Sequence, residues 1–144
     1  GLVVLLAGPA ALVPHPAAQG VAAQAPATPG PAPEVTPVAS PAGPGSLAYA
    51  LSTGADGRTY LVWIEPAGER QHALRFSRLE GAAWSAPRDI ARGDDWFVNW
   101  ADHPSLTAQP DGSLLAHWLV HTGRKQGSYG YGIRVARSTD QGAT

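Results

Sequence analysis

The sequence predicts an all-β fold made of two successive units of short antiparallel strands, and three observations predict it. The first is an internal repeat. Placing Ser46 to Trp84 beside Ser105 to Thr144 aligns Asp56-Gly57 with Asp111-Gly112 and Trp63 with Trp118, at an offset of 55 (57 to 112, 63 to 118). After a slightly longer insertion, Arg75 and Arg78 align with Arg134 and Arg137 at an offset of 59 (75 to 134, 78 to 137). The second is a hairpin motif, S-x-D-x-G-x-T, at Ser138, Asp140, Gly142 and Thr144. The aspartate of such a turn accepts hydrogen bonds from nearby backbone N–H groups, and the glycine permits the positive φ at which the chain reverses. The third is that no stretch of about ten residues or more has helical periodicity. A repeat of roughly 40 to 60 residues with four short strands is the signature of propeller blades, so two neighbouring blades of a β-propeller are expected.

Taken in chain order, residues 1–25 open with the apolar run Leu2-Val3-Val4-Leu5-Leu6-Ala7 and end in Ala23-Gln24-Ala25, an A-x-A site of the kind signal peptidase cuts. They read as a signal peptide. Without a methionine or a basic segment at Gly1, its start is expected to be missing. Pro9, Pro14 and Pro16 interrupt a stretch already shorter than the roughly 20 apolar residues that span a bilayer. Residues 26–45 are mostly Pro, Ala, Gly and Thr, with almost nothing large and apolar to bury. Such a tract cannot offset its ordering entropy, and a disordered, partly polyproline II linker is expected. Residues 46–144 hold all five tryptophans and form the candidate folded body.

Within that body a strand is expected over Leu47 to Leu51, followed by the turn Thr53-Gly54-Ala55-Asp56-Gly57. The β-branched and aromatic run Thr59 to Ile64 is the second strand, closed by Pro66. His72 to Leu79 alternates as a third. Leu79-Glu80-Gly81-Ala82-Ala83-Trp84 reads as a degenerate copy of the terminal hairpin, and Trp84-Ser85-Ala86-Pro87 as the start of an outer strand, where an edge can spare the N–H that proline lacks. Ser105 to Ala108, Ser113 to Val120 and Gly132 to Ser138 repeat the pattern. Two such units leave strand edges and one face uncovered. The expectation is that further units follow Thr144.

Composition narrows the function classes. With no cysteine there is neither a disulfide framework nor a thiolate zinc site. A net charge of −1 and a pI near 6.6 supply no basic field for nucleic acid or an anionic membrane surface. No cofactor is implied, and the export signal points to a periplasmic or extracellular location.

The terminal motif, the paired units and the segment Asp94-Asp95-Trp96-Phe97-Val98-Asn99-Trp100-Ala101-Asp102-His103-Pro104-Ser105-Leu106 together resemble the start of secreted bacterial proteins of the sialidase superfamily, those with BNR or Asp-box repeats. The resemblance covers about Ser46 to Thr144. It implies a six-bladed propeller that removes terminal sialic acid from a sialoglycoconjugate. In that family three arginines grip the sugar carboxylate, an Asp is general acid/base and a Tyr assisted by a Glu is the nucleophile. Arginine suits the first task because its planar fork pairs with a carboxylate in two parallel hydrogen bonds. The Arg-Ile-Pro or Arg-Leu-Pro tripeptide of the family's first arginine does not occur in this sequence. The Tyr and Glu belong to later blades. A noncatalytic Asp-box propeller that binds glycans or protein partners is the alternative.

The segment 94–103 packs three carboxylates, three aromatics and a histidine between the two units, where propeller loops open onto the central channel. Asp95 or Asp102 is the candidate general acid, should burial among Trp96, Phe97 and Trp100 raise its pKa. Trp96, Trp100, His103 and Arg134 are the candidate substrate contacts; the competing reading is that the aspartates cap turns, the tryptophans seal adjacent blades and Arg134 is structural like Arg75. His117 and His121 lie on a strand, about 13 Å apart at ~3.3 Å per residue, too far for one metal ion. Ser138, Asp140, Gly142 and Thr144 are assigned to holding the hairpin.

Overall fold

A computed structural model describes residues 30–122 and 130–143. The expected signal peptide at residues 1–25 and Thr144 of the hairpin motif lie outside the described residues. Among the described residues there are eight strands and no helix, so the chain is all-β. One sheet holds β1 (Leu47–Thr53), β2 (Thr59–Pro66), β3 (His72–Glu80), β4 (Ala83–Trp84) and β5 (Arg88–Gly93); the other holds β6 (Ser105–Ala108), β7 (Leu114–His121) and β8 (Tyr131–Ser138). Every pairing is antiparallel.

In the first sheet β1, β2 and β3 follow one another, and β4 and β5 both pair with β3. The outer strand does not begin at Trp84 as the sequence suggested. Trp84 closes a hairpin on Leu79, and the ladder with β3 resumes only at Arg88, opposite Phe76. Ser85 causes the break: its hydroxyl accepts the Arg78 N–H at 3.0 Å, its carbonyl accepts from the Ser77 hydroxyl, and Pro87 has no N–H to offer.

The repeat holds at the level of single residue pairs. Val62 faces Phe76, Ile64 faces Leu74 and Trp63 faces Arg75 in the first sheet. The same offsets carry these pairs onto His117 and Val135, Leu119 and Ile133, and Trp118 and Arg134, which face one another in the second. β1 and β6 obey the rule too, with Leu51 opposite Leu61 and Leu106 opposite Ala116.

One hydrophobic cluster joins the sheets. Tyr60, Val62, Ile64, Leu74 and Phe76 bury against Leu106, Leu114, Ala116, Trp118 and Val120. Successive side chains of a strand point to opposite faces. An odd offset therefore maps Tyr60, Val62 and Ile64 onto Leu115, His117 and Leu119, on the far side of β7 from the cluster. The front of the first sheet thus packs on the back of the second, and the sheets stack in series rather than as mirror halves of a sandwich. Their first strands lie side by side, with the Ser52 hydroxyl donating to Leu106 O at 2.5 Å and Ala55 N to Ala108 O at 3.1 Å.

The terminal hairpin locks this stack. Ser138 Oγ accepts the Gly142 N–H at 2.7 Å and donates to Asp140 Oδ1 at 2.6 Å, while Ala143 N donates to the same carboxylate oxygen at 3.0 Å. Gly142 sits at φ 79°, and a Cβ there would lie 2.5 Å from the Phe76 ring across the sheet interface. Only glycine fits both demands.

The chain divides into two compact units, residues 1–35 and 36–144. In the first, residues 30–35 are exposed and carry no regular secondary structure. The second begins at Thr36, ahead of the boundary read at Ser46. Pro41, Ala42 and Gly43 are half-buried, and Gly43 N donates to Glu65 Oε2 at 3.4 Å. This segment lies by the outer face of the first sheet. There Trp63 is fully buried, donates from Nε1 to Glu65 Oε2 at 2.8 Å, and heads a chain of charges through Glu65, Arg75, Asp89 and Arg92.

Candidate functional site

Antiparallel strands place alternate connections at opposite ends of each sheet. The Asp-Gly turns, the Gly81-Ala82 turn and the Ser138–Ala143 turn share one end. The connections after β2 and β5 share the other, and the second of these carries the candidate residues.

The start of that connection is pinned. β6 pairs with β7 only as far as His117, and the connection takes over the vacant edge: Trp96 bridges Val120, Phe97 N donates to Leu119 O at 3.1 Å, and His121 N to Asp95 O at 2.7 Å. The Asp95 carboxylate is bidentate with Arg134, Oδ2 at 2.6 Å and Oδ1 at 3.3 Å. Two N–H groups of the guanidinium expected to meet a sugar are thereby committed to Asp95, and both side chains stay partly exposed, at 49% and 40%.

Trp96 is a correction to the sequence reading. It is only 4% exposed, between His72 (ring centroids 6.2 Å apart, 17° between planes) and Trp118 (5.8 Å, 39°), so it offers no face to a ligand. Its indole N–H lies over Gly93, where any side chain would collide with it. Trp96 Nε1, Trp118 Nε1 and His72 Nδ1 are all buried with no hydrogen-bond partner among the described residues, a cost of roughly 1–3 kcal/mol for each unsatisfied group. The stack seals the two sheets together at this end.

The second half of the connection is built for display. Asn99 Oδ1 accepts the N–H groups of Ala101 at 2.7 Å and Asp102 at 2.9 Å, and its Nδ2 donates to Asp102 Oδ2 at 2.7 Å. This Asx turn fixes the backbone around Trp100, which is 91% exposed at its tip. His103, also exposed, meets Tyr49 edge to face with ring centroids 6.3 Å apart. Tyr49 reaches that position because β1 is bulged, with Ala48 at φ 45°. The structure therefore carries Trp100, Asp102 and His103 on one turn, with Tyr49 against His103, while Asp95 pairs with Arg134 and Trp96 is buried on Trp118.

Asn99 and Tyr49 were not singled out from the sequence. An Asn whose side chain can bond the backbone two residues on is a recognisable turn former, as Asn99 is for Ala101. The bulge that aims Tyr49 leaves no sequence signature.

The carboxylates with displaced titration lie at the opposite end. The Tyr60 hydroxyl, 2.6 Å from Asp56, holds that carboxyl below its usual range, and the Ser113 hydroxyl, 2.6 Å from Asp111, does the same there. Both belong to Asp-Gly turns and are turn caps rather than acids for catalysis. The cavity between the sheets, about 70 Å³ beside Phe76, Leu114 and Gly142, has room for water but not for a sugar ring. Among the described residues no three His, Asp or Glu side chains gather as metal ligands. His117 Nδ1 instead pairs with Ser105 Oγ at 2.6 Å, and His121 packs against the Phe97 ring.

No protein-family model matches this chain, and no curated protein is significantly similar to it.

Proposed function

We propose that the two sheets are neighbouring blades of a sialidase-like β-propeller, exported to the periplasm or beyond, and that the chain recognises glycans through the loop end that carries Trp100. Support for the blades is the front-to-back stacking of two sheets in identical register, with the first strand of each side by side. One observation carries the recognition reading: a tryptophan 91% exposed on a turn braced by three hydrogen bonds. An indole held out in that way presents a flat apolar platform with a polar edge. The flat, electron-rich ring matches the C–H face of a pyranose, and the rigid turn has little ordering entropy left to lose on binding. Asp102 and the Tyr49–His103 pair are the polar neighbours that would fix the sugar's orientation.

Recognition is better supported than exo-α-sialidase hydrolysis. Asp95 is bidentate with Arg134, and Asp102 accepts from Asn99, so each carboxylate already has a structural partner. A carboxylate beside Trp100 also favours a neutral sugar over an anionic one.

Lactose and sialyllactose, titrated into the purified chain and into Trp100→Ala, decide the matter. Binding of lactose that falls at least about tenfold in the variant, with circular dichroism unchanged, supports the reading. Equal binding by both proteins, or no binding by either, removes it. Release of free sialic acid from sialyllactose would restore the hydrolase.

A further inference from the structure

Two arginines of the first sheet meet one residue of the terminal hairpin. Alternation along β3 puts Arg78 on the same side as Phe76, and Arg88 joins them because β5 begins opposite Phe76. That side packs on the second sheet. The Ser138–Ala143 turn closes its rim, and Gln141 meets both guanidinium groups: Arg78 Nη1 donates to Gln141 Oε1 at 3.5 Å, and Arg88 Nη1 to Gln141 O at 3.4 Å. Between them lies a groove of about 270 Å³, lined by Phe76, Arg78, Ser85, Ala86, Arg88 and Gln141. Its walls come from both sheets, so it belongs to their junction and not to an outer face.

The charges in this groove are unbalanced. Arg78 places Nε and Nη2 on Glu80 Oε1, which leaves Nη1 with the long contact to Gln141. Arg88 is exposed and pairs with no carboxylate among the described residues; of its five N–H donors one is used, near the limit of hydrogen-bond length. The carboxylates of the adjoining turns are held there, Asp56 by the Tyr60 hydroxyl at 2.6 Å and Asp140 by Ser138 Oγ at 2.6 Å. The repeat shows how Arg78 was released. Its equivalent, Arg137, pairs with Asp111 at 2.7 Å. In the first unit Tyr60 stands where the second has Leu115, its hydroxyl takes Asp56, the equivalent of Asp111, and Arg78 turns to the groove.

We propose that this groove binds a tetrahedral oxyanion, sulfate or phosphate, between Arg78 and Arg88. Planar guanidinium forks match the oxygens of such a group, and two cations offset its charge. A carboxylate has oxygens for one fork only; a tetrahedral oxyanion has enough for both. The Phe76 ring and Ala86 form an apolar wall that lowers the local dielectric and strengthens the pairing. The site lies at the opposite end of the sheets from Trp100 and uses none of its residues, so this inference and glycan recognition can each fail alone.

The test is titration of the purified chain with sodium sulfate, sodium phosphate, methyl phosphate and sodium acetate, at ionic strength held constant with sodium chloride, followed by calorimetry and by the backbone amide resonances of Ser85 and Gln141. Sulfate and phosphate are expected to bind and to move both resonances, and acetate to bind at least about tenfold more weakly. Tighter binding of methyl phosphate than of phosphate assigns the site to an esterified oxyanion, and equal or weaker binding to the free ion; each is a form of the same site. Arg88→Gln should weaken binding at least about tenfold, with circular dichroism unchanged because the side chain is exposed. Arg92→Gln removes the same charge from the same strand, at a side chain already paired with Asp89, and should bind like the parent. Arg88→Lys, which keeps the charge and loses the fork, should fall between them and serves if Arg88→Gln loses its fold. No binding by the parent, acetate binding as tight as sulfate, or equal losses in Arg88→Gln and Arg92→Gln would each overturn the proposal.

Discussion

Leu74 and Ile133 occupy the same place in the repeat, so truncating each to alanine asks directly whether the sheets stack front to back. Leu74 is fully buried against the second sheet. Removing its side chain beyond Cβ forfeits about 0.8 kcal/mol per methylene, or about 2.4 kcal/mol of transfer free energy. The space left cannot collapse between two hydrogen-bonded sheets, which brings the expected loss to about 3–5 kcal/mol. Ile133 is 65% exposed, so only about a third of the transfer value is at stake, and no cavity is created. Adding the poorer strand propensity of alanine keeps its cost under about 1.5 kcal/mol. Urea unfolding, followed by the fluorescence of Trp96 and Trp118 at the sheet interface and run on dilute protein, measures both. The denaturant slope should be unchanged. If Leu74→Ala leaves nothing folded, Leu74→Val against Ile133→Val tests the same ordering at smaller size. Equal losses at the two positions, or a larger loss at Ile133, would refute serial stacking.

Gly142→Ala forces a side chain into φ 79° and against the Phe76 ring; thermal melting should show a loss of about 2–4 kcal/mol, and no change would mean that the hairpin does not dock there. Because the Asp56 and Asp111 carboxyls titrate below their ordinary value in the folded chain, their contribution is fully present above about pH 4 and is lost as pH falls through the folded values. In Asp56→Asn/Asp111→Asn, stability measured from pH 6 to pH 2 should therefore fall less steeply than in the parent, and parallel curves would count against the assignment. Val120→Glu, which copies Glu65 into the second unit, should cost about 1–3 kcal/mol at neutral pH despite offering Trp118 an acceptor; a variant as stable as the parent would show that this edge of the interface is wet.

The turns and the strand register were legible because they depend on local chemistry. Asp56-Gly57 and Asp111-Gly112 announce their hairpins, and once two turns fix the phase of β2 and β7, alternation fixes every pair after them. The outer strand was misplaced because Ser85 diverts the ladder through a side-chain hydrogen bond, which no propensity scale registers. At the candidate site the sequence found the right segment and only some of the right residues. Composition cannot say which of Trp96 and Trp100 faces inward. That is decided by the short reach of β6, which leaves an edge of β7 for residues 95–97 to occupy and turns Trp96 onto Trp118.

The two tryptophans at equivalent places in the repeat show how one pattern serves two environments. Trp63 stands on the outer face of the first sheet beside a chain of charges, and the residue two positions on is Glu65, which accepts its indole N–H and pairs with Arg75. Trp118 stands at the interface, and the residue two positions on is Val120, buried in the common cluster. A carboxylate at that place would have to be desolvated by the neighbouring sheet, at a cost beyond that of one unsatisfied N–H. The valine is therefore the cheaper solution, and Trp118 keeps its orphan donor. Arg134, deprived of the equivalent glutamate, turns to Asp95 of the connection instead. The ion pair between Asp95 and Arg134 thus follows from burying Val120, and among the described aromatic side chains of this end Trp100 stands furthest into solvent, 91% exposed against 49% for Tyr131.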